Sequence, residues 1–411
     1  MNRSFWIFVT GQAVTVLGNA FGTLALGWLV YELTGSMVAL GTLVMVGRLP
    51  EVIFRFLSGP LLDRFNRLRL MAGIELAQAL VFAVPVALAA TGHLAIWHLY
   101  LLSVLAGLLS APYMPASAAV VPALVAPQSL VRANSVSQTV VQIASMAGPA
   151  LAGLVIAAVG GVYALALDAV SFLLSALSLL LLPRAAGQVA RGAGPQRGYL
   201  AQLVEGMAFF RRAPVLLYFM VGAAVANMGI SALQGMMIPY VTDHLGAEAS
   251  QIGTLTSAMY GGMLLISFLL TWVGDLQSRS LVMLASLLAA GLGMIGLGLV
   301  GRGMLLPALL LVGLIGVCMG AFTVFNSVVY QRMVPGELMG RVMSVRGTIA
   351  SIAMPAGALA GSVLAEAAGL GAMMAALGLL PLVVALAAPL IRGIGGIDGE
   401  IRPVEAAAKP A

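Results

Sequence analysis

Residues 58–70 read SGPLLDRFNRLRL and place four charges, Asp63, Arg64, Arg67 and Arg69, within seven positions of a 411-residue chain that is only 8% charged. The flanking segments explain the concentration. Both are apolar runs of about 20 residues, long enough to cross a hydrocarbon core of about 30 Å as helices. Such runs recur along almost the whole sequence, which is 61% hydrophobic with a mean hydropathy of +1.06. A soluble domain solvates its surface with about 25% charged residues, so this composition describes an all-α, polytopic membrane protein. A formal charge of +6 would suggest nucleic acid as partner for a soluble chain. Here the placement of the charge matters more, and no nucleic-acid partner is expected.

Twelve spans are predicted: residues 5–31, 37–61, 69–91, 95–121, 135–159 and 162–182 in the first half, then 214–241, 250–273, 280–300, 304–328, 341–365 and 371–391. Continuous helices satisfy their own backbone, as hydrocarbon requires. The opening MNRSFWIFVTGQ carries no small-residue cleavage site and reads as the start of span one. With the N-terminus inside, sixteen of the twenty basic residues fall on the inner side, Arg302 falls outside, and Arg48, Arg55 and Arg346 lie within spans. This asymmetry predicts cytoplasmic termini and makes 58–70 the inner loop between spans two and three. Cys318 is the only cysteine, so no intrachain disulfide can form.

The halves resemble each other at a shift of 208 residues: Ala150-Leu151-Ala152-Gly153 recurs as Ala358-Leu359-Ala360-Gly361, Pro127 as Pro335, and Asn19 of span one as Asn227 of span seven. Six spans separate equivalents, so the halves share one orientation, a parallel duplication. The expected organisation is a six-helix bundle over 1–183, a linker over 184–213, a second bundle over 214–392 and a tail over 393–411. The linker opens with the Gly-rich PRAAGQVARGAGPQRG. It continues as YLAQLVEGMAFFRR, whose apolar face predicts an amphipathic helix on the inner leaflet.

GPLLDRFNR (59–67) resembles the signature loop of the major facilitator superfamily, and GDLQSR (274–279) is a worn copy in the second half. GPALAG (148–153) is similar to the Gly-Pro motif of drug/proton antiporters in that superfamily. WLVYELTGS (28–36), GRLP (47–50) and VPGELMGRV (334–342) resemble the bacterial subgroup of macrolide-efflux proteins and the enterobactin exporter. The resemblance implies a twelve-helix fold in two pseudo-symmetric bundles and a gating role for Gly59, Asp63, Arg64, Arg67, Asp275 and Arg279. The dipole at the start of span eleven, around Gly340, would favour the Asp63 charge. Topological anchoring of the loop is the other reading. For Gly148, Pro149 and Gly153 two readings also stand: close helix packing, or a seal against proton leak that the packing provides.

Ionisable groups within spans are costly and are functional candidates. Arg48, Glu51 and Arg55 share one face of span two at i, i+3 and i+7, which favours a charged, bridging Glu51. Glu75 of span three is expected to pair with Arg55. Asp168, in the apolar GVYALALDAVSFLL, has no basic neighbour in sequence. A carboxyl whose charged form is disfavoured by burial suits proton coupling, with Glu51 and Glu75 as the other candidates. Arg346 completes the intramembrane charges. By the family architecture, spans one, four, seven and ten line the substrate cavity with Asn19, Tyr113, Asn227, Gln234 and Asn326.

The only lysine is Lys409, so no phosphate-binding GxxxxGK[ST] loop exists and ATP drive is excluded. The three histidines lack a carboxylate cluster, and neither a metal site, a cofactor nor an enzymatic activity is expected. The reading is a monomeric, multi-pass transporter of the bacterial inner membrane, in contact with membrane lipid, that exports small amphipathic molecules against protons by alternating access. The alternatives on the same fold are a lysophospholipid translocator, with Arg48 on a head-group phosphate, or a siderophore exporter.

Overall fold

The twelve apolar runs are twelve helices long enough to cross a membrane in a computed structural model that describes residues 2–57, 65–126, 129–183, 187, 207–273, 278–391 and 393–398. The described residues contain no strand. Spans one to three are Arg3–Thr34, Met37–Leu57 and Arg67–Ala90. Span four is two pieces, Ile96–Ser110 and Tyr113–Leu124, and spans five and six are Leu130–Val159 and Gly161–Leu180. Spans seven to twelve are Pro214–Gly235, Ser250–Val273, Arg279–Leu299, Leu305–Met333, Gly336–Ala368 and Leu370–Leu386.

Two spans differ from the continuous helices expected. Span four breaks at Ala111-Pro112, where proline supplies no N–H to the preceding turn. Span seven stops at Gly235, turns at Met236, and resumes through Met237–Pro239 into a π-turn at Tyr240–His244. Of the segment expected as an amphipathic helix in the linker, 207–212 falls among the described residues: 207–210 are helical and Arg211 and Arg212 form a turn.

Helix ends follow from local chemistry. Asn2 caps span one, its side-chain oxygen accepting from the Phe5 N–H at 3.0 Å, while its amide donates to Leu124 O at 2.9 Å. Spans five and six are joined by Gly160 alone (φ 92°), and spans eleven and twelve by Gly369 alone (φ 86°). A side chain at either site would be strained, which is why both one-residue corners are glycine.

Internal contacts divide the chain into two units: Met1–Gly194 with Gly235–Ser257, and Pro195–Gln234 with Ala258–Ala411. In the first unit, span six packs most extensively, against spans one and three. At one end Phe5, Phe8, Met71, Val120 and Ala133 close a fully buried cluster. In the second unit, span nine packs extensively against spans ten and twelve. Span nine meets span twelve backbone to backbone, since a Cβ on Gly291 would lie 2.6 Å from Gly378 O. Such close approach is how helices gain packing energy in lipid, where hydrophobic burial offers little. Large apolar side chains such as Leu80, Leu181, Trp272 and Leu299 are more than two-thirds exposed. That surface is hazardous in water and ordinary against hydrocarbon.

A close contact recurs near the 208-residue register, with the glycine one position out, since Gly357 follows Gly148 by 209 residues. In the first unit a Cβ on Gly148 of span five would lie 2.7 Å from Ala20 Cβ of span one. In the second, a Cβ on Gly357 of span eleven would lie 2.5 Å from Met228 Cα of span seven, the residue 208 positions after Ala20.

The second unit also holds its own tail. Asp398 accepts from the Ser280 N–H at 2.8 Å and from the Ser280 hydroxyl, at the start of span nine. Ile397 beside it is fully buried. A carboxylate here satisfies an orphan helix donor and meets the positive end of the helix dipole. Asp398→Ala is expected to lower the stability of this unit by about 1 kcal/mol, the usual cost of a lost cap. Thermal unfolding in detergent measures it, and an unchanged midpoint would mean the tail contact adds nothing.

Candidate functional site

Span three starts at Arg67 behind the cap Asn66, whose side-chain oxygen accepts from the Arg69 N–H at 3.2 Å. Of the expected gating residues, Gly59, Asp63, Arg64 and Asp275 lie outside the described residues. Arg279 is described: it is buried and donates to Ile397 O at 3.0 Å. The second copy of the signature loop thus ends on the tail.

The intramembrane charges of the first unit sort by burial. Arg48 is 54% exposed and pairs with Glu51 at 3.1 Å, so its charge is already answered by a neighbour one turn away. The side chain of Arg55, the expected partner of Glu75, lies outside the described residues. Glu75 is almost wholly buried. Its Oε1 accepts from the Thr15 hydroxyl of span one at 2.9 Å and from the Ser175 hydroxyl of span six at 2.8 Å. Its Oε2 has no partner. The Tyr113 hydroxyl of span four lies beside this carboxyl without closing a hydrogen bond.

Asp168 is fully buried. Its Oδ1 accepts from the Ser171 hydroxyl at 3.2 Å, and its Oδ2, without a partner, rests on Gly22 of span one beside Phe82. It lies near enough to Glu75 for the two to repel if both were charged. Two carboxyls, hydroxyl donors and no cation among the described residues make an acidic site enclosed by spans one, three, four and six. Burying an unpaired carboxylate costs several kcal/mol, so the site is expensive with both carboxyls charged.

Thr15, Ser171 and Ser175 belong to this site but were not among the residues singled out from sequence. The available signal was spacing: Gly11, Thr15, Gly18 and Gly22 lie on one face of span one, and Asp168, Ser171, Ser175 and Ser178 on one face of span six.

The Gly-Pro segment of span five packs on span eight within the first unit. A Cβ on Gly153 would lie 3.1 Å from Gly253 N, and one on Gly253 would lie 2.7 Å from Ala150 Cα and overlap Pro149 O. Pro149 gives its own helix no N–H, and the Ser257 hydroxyl donates to Met146 O, one turn before it, at 2.7 Å.

The residues expected to line the cavity stand in different local surroundings. Asn19 is exposed and Asn227 half-buried. The Gln234 amide donates to the Tyr260 hydroxyl at 3.3 Å. Asn326 is buried with neither amide atom bonded. Tyr113 sits with the carboxyl cluster. In the second unit Arg346 lies over the Tyr330 ring, 4.7 Å from its centroid. The Tyr330 hydroxyl is itself held by Leu216 O at 2.8 Å.

A family profile described as a transmembrane secretion effector matches residues 1–397. Macrolide efflux protein A of Streptococcus pyogenes is 24% identical over 396 residues, covering 96% of this chain and 97% of that protein. The multidrug efflux pump Tap of Mycolicibacterium fortuitum is 29% identical over 399 residues, covering 94% and 95%. Among solved structures, a mutant of the peptide transporter POT aligns with a TM-score of 0.77 at 13% identity, covering 97% of this chain and 96% of that one. An inward-facing bacterial homologue of the iron transporter ferroportin aligns at 0.71 and 16%, covering 93% and 98%. Identities this low establish the fold alone. Family profile, relatives and fold agree: this chain belongs to the transmembrane secretion effector family of the major facilitator superfamily, and it is a multi-pass membrane efflux transporter, not an enzyme.

Proposed function

We propose that the protein exports amphipathic, drug-like molecules across the bacterial inner membrane by proton antiport, through alternating access of two six-helix bundles. The observation that carries the coupling is the buried pair Glu75 and Asp168, each with one oxygen unpartnered. With no cation among the described residues facing them, the neutral forms suit the packed state. Ionisation requires water to enter. A site that is closed when protonated and wetted when ionised can load a proton from one side and release it to the other. The names of the relatives, macrolide and multidrug efflux proteins, support the cargo class.

In this reading the bundles are 1–183 and 214–392, joined by the linker 184–213, with both termini cytoplasmic and a monomer as the working unit. Asp63, Arg64 and Arg67, with Asp275 and Arg279, latch the inner face. Arg48, spent on Glu51, gives the lysophospholipid alternative no support.

The test is proton movement in proteoliposomes carrying the purified protein. Adding a macrolide or a cationic dye should move protons in the opposite direction to the cargo. Glu75→Gln should reduce that flux several-fold while the protein stays monodisperse. Cargo flux that is indifferent to an imposed pH gradient would overturn the antiport reading.

A further inference from the structure

Spans one and six meet along a seam of small residues. Gly11 faces Ser178, Thr15 faces Ser175 across the Glu75 carboxyl, Gly18 faces Ser171, and Gly22 faces Asp168. The fit leaves no slack. A methyl group on Gly11, Gly18 or Gly22 would overlap Ser178 Oγ, Ser171 Oγ or Asp168 Oδ2 respectively. On Gly18 it would also lie 2.7 Å from Asp168 Oδ1, and on Gly22 2.8 Å from Phe82 Cε1. The Asp168 carboxyl is thus pressed edge-on against bare helix backbone.

That backbone has nothing to offer an anion, because the amides of span one near Gly22 are bonded within their own helix. Among the described residues, the titratable groups facing Asp168 are Glu75 from span three and, beyond it, Tyr113 from span four; span one contributes none and span six only hydroxyls. Every neighbour among the described residues is neutral or acidic.

We propose that this seam is the element that turns a proton into helix movement: span one closes on span six when Asp168 carries a proton and separates from it when Asp168 is charged. The proton comes from water onto Oδ2 and returns to water, with no other bond changed. Gly22 is the positioning residue, since its missing side chain lets a neutral carboxyl, and only a neutral one, fit beneath span one. The inference rests on the proton-coupled reading above and adds the mechanical step.

The experiment needs no cargo, so its failure is separable from failure of the export reading. In a Cys318→Ala background in nanodiscs, a Ser178→Cys reporter sits in the seam three turns from Asp168. Its maleimide labelling rate is measured from acidic to alkaline buffer with Asp168 and with Asp168→Asn. The ratio of the two removes the reagent's own pH dependence. The ratio should rise several-fold with pH. Gly22→Ala, which displaces the carboxyl, should label rapidly at every pH and shift the pH profile of transport. A flat ratio, or a Gly22→Ala protein that labels like its parent, overturns the proposal. If the reporter misfolds, hydrogen exchange of the 11–22 backbone in otherwise native protein replaces it: the rate divided by that of Asp168→Asn at the same pH, which cancels the intrinsic base catalysis of exchange, should rise with pH, and a flat ratio overturns the proposal.

Discussion

Asp168→Asn is expected to bind cargo nearly as well as the native protein and to lose the pH dependence of transport. Asparagine preserves the shape of the carboxyl and can still accept from Ser171, so the fold should lose no more than about 1–2 kcal/mol. It imitates the protonated state permanently. The sign follows: in the native protein the packed state binds the proton, so raising pH on both faces disfavours it and slows the cycle. In the variant Asp168 has no proton to lose, and Glu75 is left as the one titrating group of the pair, so the profile flattens. Transport driven by a pH gradient should fall by about tenfold or more, equivalent to about 1.4 kcal/mol of lost coupling. A pH profile equal to the native one would move the carrier to Glu75. Loss of cargo binding would instead mean that Asp168 recognises cargo directly, against its complete burial.

A second large effect is expected from Gly253→Leu. The first carbon of that side chain would overlap Pro149 O and approach Ala150 Cα at 2.7 Å. These are backbone atoms of a packed helix and cannot rotate aside. Overpacking costs about 1–3 kcal/mol even where side chains can adjust, and here the backbone must move. The contact between spans five and eight should fail to form. If the transport cycle passes through that contact, export falls to the level of cells lacking the protein, while membrane insertion is unaffected. Dye accumulation in intact cells gives the first readout and cross-linking of a Gly153→Cys, Ala249→Cys pair the second. Gly73→Ala is the matched control, since a Cβ there meets nothing within 4 Å. Native export by the Gly253→Leu protein would reduce the Gly-Pro segment to ordinary packing.

Much of the molecule could be read without coordinates because hydrocarbon imposes local rules. A span must satisfy its own backbone, so twenty apolar residues announce a helix wherever they occur, and twelve such runs became twelve spans. The family was legible in GPLLDRFNR, GPALAG and VPGELMGRV for a related reason: each lies in a stretch of consecutive residues, so its chemistry survives in one dimension. The glycine corners at Gly160 and Gly369 are equally local. Breaks within the spans were harder. Span four stops at Ser110 and span seven at Gly235 inside sequence that remains apolar, where proline or glycine ends a helix only if neighbouring packing accepts the turn.

The acidic site was half visible. Asp168 and Glu75 stand out as charges in apolar helices, which composition alone reveals. Their surroundings do not, because Thr15 lies 60 residues before Glu75 and Ser175 lies 100 after it, and only the packing of spans one, three and six brings the three together. The same holds for Gly22, an unremarkable glycine until the carboxyl of Asp168 is found against it. Sequence by itself determined which residues cross the membrane and which of them carry charge. The tertiary structure decided what each charge faces, because in a bundle of self-satisfied helices partners are chosen by which faces meet, and that depends on helix rotation and register, which hydropathy does not encode.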